Sequence, residues 1–149
     1  MKSIAIFNNK GGVGKTTLLC NMASFLKNRC NQRVLIIDAD PQCNATLYLF
    51  GDNEIEEFYG TNSSHKTIYH IVQPYKKGKG YLNDNNLPIE HSRGINVDCI
   101  IGDTRFAVLE DFLSSEWLAS KSGEERALDT TLVFKNIIHQ LEDRYDYIL

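Results

Sequence analysis

A glycine-rich stretch, Lys10-Gly11-Gly12-Val13-Gly14-Lys15-Thr16-Thr17, leaves this chain few ways to fold, because it stands between two segments of different character. Ser3 to Phe7 is a short apolar run of strand formers, which reads as a buried strand, and Leu18 to Lys27 carries apolar residues at helical spacing. Strand, glycine loop and helix in that order make a phosphate cradle. Glycines let the backbone take positive φ and bring N–H groups close to phosphate oxygens. The helix N-terminus adds unpaired N–H groups and the positive end of its dipole. Lys15 is placed to reach β- and γ-phosphates, and the Thr16 hydroxyl to hold a magnesium ion that bridges them. These residue types point to a nucleoside triphosphate with Mg2+.

One position departs from the general phosphate-loop pattern, which wants glycine five residues before Gly14 and here has Asn9. In its place the loop carries a second lysine, Lys10. With that change, Asn8-Asn9-Lys10-Gly11-Gly12-Val13-Gly14-Lys15-Thr16-Thr17 resembles the deviant Walker A motif of the ParA/MinD partition and positioning ATPases, in which the first lysine is a signature. The resemblance implies ATP as the nucleotide. It also implies that Lys10 reaches the phosphates in the partner subunit of an ATP-dependent homodimer; the alternative is a solvated loop lysine.

The second informative stretch follows Val34-Leu35-Ile36-Ile37, an unbroken apolar run of the kind found in a parallel strand covered on both faces. It ends in Asp38-Ala39-Asp40-Pro41-Gln42. Carboxylates at the carboxyl end of a strand in an open α/β sheet sit where ligands bind, and Pro41 stops the strand by removing an amide donor. Two acids there can orient magnesium waters or the attacking water; Asp and Pro are equally common as plain turn residues. The longer run Asp38 to Thr46 resembles the same family's Walker A-prime motif. By that resemblance Asp40 positions the hydrolytic water and Asp38 supports the magnesium environment, with Cys43 standing where relatives often have glycine.

Length and composition restrict the remaining choices. A chain of 149 residues with 42% hydrophobic and 23% charged residues suits one globular domain with a real core. Its net charge of -3 makes it no electrostatic magnet for nucleic acid as a whole, so DNA binding needs a local patch or a further part of the protein. Cys20, Cys30, Cys43 and Cys99 lack zinc or redox spacings and read as reduced thiols. His65, His70, His91 and His139 are scattered and carry no metal role. No secretory leader precedes the first strand, no apolar run approaches the ~20 residues of a membrane span, and a cytoplasmic location is expected.

The rest of the chain reads as follows. A first helix is expected over Lys15 to Arg29 with Leu18, Met22, Phe25 and Leu26 along one face, widened by Leu19 and Ala23, and Asn31 as a left-handed cap. Gly51 to Ser64 is polar and reads as a surface connection. Lys66 to Val72 reads as a short helix burying Ile68, Ile71 and Val72. The basic loop Tyr75 to Tyr81, a tempting nucleic-acid contact, reads as a solvated surface, and Asn83 to Asn86 as a loop. Ile95 to Asp103 predicts a third strand, followed by a helix with Phe106, Leu109, Leu113 and Trp117 on one side. After a break at Ser120 to Arg126, Ala127 to Arg144 predicts a helix burying Phe134, Ile137, Ile138, Leu141 and Tyr145. Tyr145 to Leu149 opens another buried strand, which in the family ends in the Walker B aspartate.

The expected fold is α/β, a P-loop NTPase with a mainly parallel sheet and helices on both faces, interrupted before the Walker B strand is complete. Residues 1–149 read as the N-terminal part of a single nucleotide-binding domain. The implied function is a magnesium-dependent ATPase switch of the ParA type, acting in plasmid or chromosome partition with a ParB-like stimulating protein. Nonspecific DNA would be bound largely through a further C-terminal part. A MinD-like membrane-associated positioning ATPase and a nucleotide-binding regulatory module without turnover are the alternatives; Asp40-Pro41-Gln42 favours the ParA side.

Overall fold

A computed structural model describes residues 1–8, 10–77, 87–122, 127 and 130–149. Asn9, Gly78 to Asn86 with parts of the two expected loops, Gly123 to Arg126 of the expected break, and Leu128 and Asp129 of the expected last helix lie outside the described residues.

The chain runs β1 (Lys2–Ser3), α1 (Lys15–Asn28), β2 (Val34–Ile37), α2 (Asn44–Leu49), α3 (Asp52–Tyr59), α4 (Ile68–Lys76), β3 (Glu90–Ser92), β4 (Val97–Ile100), α5 (Phe106–Ser120), α6 (Val133–Gln140) and β5 (Tyr147–Ile148). The strands form one sheet in the order β1-β5-β2-β4-β3. Every neighbouring pair is parallel except β3 with β4. This is the α/β architecture expected of a P-loop NTPase.

Two apolar cores lie on opposite faces of the sheet, because successive side chains of a strand point to opposite sides. Leu35, Ile100 and Ile148 face one core, closed by α4, α5 and α6 through Ile68, Val72, Leu109, Ile137 and Leu141. Val34, Ile36, Cys99, Ile101 and Leu149 face the other, closed by α1, α2 and α3 through Cys20, Ala23, Leu49 and Phe58. β2 lies at the centre and its apolar run is buried from both sides, as its sequence predicts.

Four expectations are corrected. The run Ser3 to Phe7 is not a buried strand: β1 covers Lys2–Ser3, and Ile4 and Phe7 are exposed, Phe7 at 83%. The register of Lys2 with Tyr147 and Ser3 with Ile148 runs through the whole of β5, and the ladder closes with the Ile4 N–H on the Ile148 carbonyl. Among the described residues, nothing flanks β1 on its other edge. In α1 the buried stripe is rotated: Leu18 and Phe25 face outward, while Cys20 and Ala23 are buried, with Leu19, Met22 and Leu26 packed beside them. Asn31 does take the left-handed conformation after this helix, at φ 52°.

The polar segment after Gly51 is a helix, α3, rather than an irregular connection. The Glu54 carboxylate accepts the Gly51 N–H at 3.0 Å, and acids in the first turn complement the helix dipole. Ile55 and Phe58, three residues apart, form its inner face, with Phe58 edge-on to Phe50 at 5.0 Å. Finally, burial fades along α5: Phe106 and Leu109 are buried, Leu113 packs at the margin of the core, and Trp117 is exposed with the Lys121 ammonium 5.5 Å from its ring centroid.

Candidate functional site

The carboxyl ends of β1 and β2 open into a cavity of about 950 Å³, and the glycine loop forms one wall of it. Gly12 and Gly14 sit at φ 71° and 85°, conformations that favour glycine, and a side chain added at Gly11, Gly12 or Gly14 would meet nothing within 4 Å. The space beside these three glycines is therefore open. Gly14 is the N-cap of α1, and it supplies no side chain to the first-turn N–H groups of that helix. No acidic residue occupies the first turn either. Uncapped donors at the positive end of a helix are what an anion needs. A phosphate chain fits this wall on the evidence of its own geometry.

Lys15, Thr16 and Thr17 line the cavity, Lys15 and Thr16 half-buried. Gly11 to Gly14, including Val13, line it as well. Lys10 is different. It is exposed and does not line the cavity, and its backbone N–H is held by the Asn8 side-chain oxygen at 2.8 Å.

The opposite wall is the turn after β2. The β2 ladder ends where the Asp38 N–H bonds the Ile100 carbonyl at 3.1 Å, and the chain then folds back through Pro41. Asp40 is half-buried and lines the cavity; its Oδ1 accepts the Gln42 N–H at 2.9 Å and its carbonyl accepts the Cys43 N–H at 2.8 Å. Asp38 is only 3% exposed. Its Oδ2 takes the Thr46 hydroxyl at 2.6 Å and the Thr46 N–H at 2.8 Å, and its Oδ1 takes the Asp40 N–H at 3.3 Å. Burial pushes the Asp38 carboxyl above its ordinary range, against the pull of these hydrogen bonds. Cys43 sits at φ 54°, in the conformation that a glycine would hold without strain, with its thiol pushed up to about 12 by burial and by Asp38.

The structure thus brings Lys15, Thr16, Asp38 and Asp40 around one cavity and leaves Lys10 on its outer lip. Among the described residues, no three His, Cys, Asp or Glu side chains gather into a cage for a metal. One hydroxyl and nearby acids suit magnesium, which keeps several waters and takes substrate phosphate oxygens rather than an all-protein shell.

Glu110, Phe134 and Ile138 are among the lining residues that went unassigned in the sequence. Glu110, on α5, faces the cavity; burial and then the charges of Asp40 and Asp111 raise its carboxyl. Phe134 and Ile138 of α6 supply an apolar stretch of wall. Glu110 follows the buried Leu109 and precedes Asp111 in a helix that leaves the carboxyl end of β4, and this acidic stretch is the sequence signal that could have pointed to it. A second cavity of about 410 Å³ lies at the amino ends of β2 and β4, lined in part by Lys27, Arg33, Asp98 and Arg144, away from all of these residues.

Comparison with known proteins bears on the family and the fold. The family profile of the AAA domain matches residues 1–149. The chromosome-partitioning ATPase Soj of Thermus thermophilus is 54% identical over 73 residues, which are 49% of this chain and 24% of that protein. The crystal structure of protein DIP2308 from Corynebacterium diphtheriae superposes with a TM-score of 0.89 at 33% identity, over 99% of this chain and 50% of that one. A plasmid partition protein from Borrelia burgdorferi superposes with a TM-score of 0.66 at 28% identity, over 99% of this chain and 54% of that one. The chain therefore spans about half the length of these solved relatives. It belongs to the AAA domain family, among the P-loop ATPases of the ParA/MinD type.

Proposed function

We propose that this chain carries the phosphate- and magnesium-handling part of a ParA-type switch, which binds and hydrolyses ATP and acts in plasmid or chromosome partition. The observation that carries this reading is the uncapped N-terminus of α1, with Gly12 and Gly14 at positive φ, facing Asp38 and Asp40 across one cavity. Chromosome partitioning by Soj and plasmid partition by the Borrelia burgdorferi protein support the cellular setting.

The residues divide the work by position. The loop N–H groups and the Lys15 ammonium hold phosphate oxygens and offset their charge. The Thr16 hydroxyl and the Asp38 carboxylate would hold a magnesium ion, which would supply positive charge to offset that of the phosphates. Asp40, on the far wall, orients the attacking water. Lys10, exposed outside the cavity, is available to the phosphates of a second copy in an ATP-dependent homodimer. A ParB-like protein would stimulate turnover, and DNA contact would rest largely on residues beyond this chain. No described helix is long and apolar enough to cross a membrane.

The deciding experiment is ATP turnover by the full-length protein with and without nonspecific duplex DNA at fixed salt. Slow hydrolysis that DNA accelerates, with salt-sensitive DNA binding, is the expected result. Turnover indifferent to DNA would favour a MinD-like protein, and tight ATP binding without turnover a regulatory module.

A further inference from the structure

Thr46 carries no role in the reading above, yet its hydroxyl both donates and accepts a hydrogen bond beside the site. It is wholly buried, at 0% exposure, in a chain where few polar residues are. Its hydroxyl donates to Asp38 Oδ2 at 2.6 Å and accepts the Gly102 N–H at 2.8 Å, while its own N–H also reaches Asp38 Oδ2 at 2.8 Å. One side chain therefore joins the end of β2, the start of α2 and the end of β4.

The neighbouring residues are shaped to this bond. A Cβ at Gly102 would lie 2.9 Å from Asp38 Oδ2 and 3.0 Å from Cys43 Sγ, so the carboxylate occupies space that any other residue at 102 would take. The Gly102 carbonyl is in turn held by the Tyr59 hydroxyl at 2.8 Å. Asp38 has only one oxygen edge left, Oδ1, and that edge carries the long 3.3 Å bond to the Asp40 N–H. The direction in which Asp38 faces and the place of the Asp40 backbone are thus set from behind by Thr46.

We propose that Thr46 is a positioning residue of the nucleotide site: its hydroxyl, braced by Gly102, turns the Oδ1 edge of Asp38 toward the phosphate end of the cavity and holds the Asp40 turn in place. This rests on the ATPase reading above. It adds that the acid wall of the site is built on β4 as well as on β2.

The test compares Thr46→Val, which keeps the shape and removes the hydroxyl, with Thr46→Ser, which keeps the hydroxyl, in the full-length protein. ATP affinity is read with and without Mg2+ from a fluorescent nucleotide analogue, alongside kcat and KM. Thr46→Val should leave Mg2+-free affinity within about twofold, reduce the gain in affinity that Mg2+ confers by roughly tenfold and lower kcat by at least roughly tenfold, as expected when one oriented donor is lost. Thr46→Ser should restore both to within about threefold. Should Thr46→Val fail to fold, Gly102→Ala crowds Asp38 while keeping the Thr46 hydroxyl and should show the same selective loss. Equal loss of affinity with and without Mg2+, an unaffected Mg2+ gain, or a Ser variant no better than Val would overturn the proposal while leaving the ATPase reading intact. A parent chain that binds no nucleotide would overturn both.

Discussion

Arg33 and Asp146 clamp the amino ends of β2 and β5 together: Arg33 Nη2 lies 2.9 Å from Asp146 Oδ1, and the Arg33 N–H and Nε reach Asp146 Oδ2 at 2.8 and 3.2 Å. The paired guanidinium holds the Asp146 carboxyl at about 2, below the ordinary 3.8. A depressed carboxyl stabilises the fold above the ordinary value, and that contribution is lost as pH falls through the folded-state value. Thermal melts should therefore show Asp146→Asn less stable than the parent at pH 5 to 7, with the gap closing as pH drops from about 4 toward 2. Because the pair is exposed, the gap should also shrink with added salt.

Lys15 and Asp40 stand on opposite walls and should separate binding from turnover. Lys15→Ala should weaken ATP binding by at least roughly tenfold, whereas Asp40→Ala should bind within about threefold of the parent and turn over roughly a hundredfold more slowly. Equilibrium binding and phosphate release read the two quantities. Undiminished turnover in the Asp40 variant would remove that residue from the mechanism.

Gly14→Ala isolates a backbone effect. An added methyl would touch nothing, but φ 85° is unfavourable for alanine, by ~1–2 kcal/mol. The variant should lose stability by about that amount, or distort the loop and lose ATP affinity instead. Urea unfolding and nucleotide titration together distinguish these outcomes.

Two apolar truncations should separate the buried strand from the outward face of α1. Leu35→Ala, at a wholly buried position of β2, should cost ~2–5 kcal/mol in urea unfolding. Phe25→Ala, on the predicted buried stripe but 59% exposed, should change stability by no more than ~0.5 kcal/mol.

The contrast between Leu35 and Phe25 marks how far the sequence could be read. The glycine loop, β2, the acids after it and β5 were legible because each couples a special backbone need to an unbroken local pattern. The true stripe of α1 was not: Leu18, Leu19, Met22, Phe25 and Leu26 form one arc of about 120°, but packing turns the neighbouring small residues Cys20 and Ala23 inward, so that the Leu18 and Phe25 edge of the arc faces out. β3 was missed because Glu90, His91 and Ser92 carry no apolar alternation; the Ser92 hydroxyl is buried on the Leu49 carbonyl, a contact 43 positions away in sequence. α3 hid in its charge, and exposure at Phe7 follows from which strands flank β1, a property of the sheet and not of the run itself. In the site, Asp38 and Asp40 were visible as a motif, whereas Glu110 depends on where α5 leaves β4.

The alternation along β2 has a further consequence. Leu35 belongs to one core, Val34 and Ile36 to the other, and the chain reaches Asp38 directly after Ile37. Loss or gain of one residue in this strand would turn each apolar side chain to the wrong face and at the same stroke carry Asp38 away from Thr46. Substitutions within Val34 to Ile37 can be absorbed singly, but its length cannot change without forfeiting core and site together. Among drifting relatives, the count of residues between Arg33 and Asp38 should therefore outlast their identities.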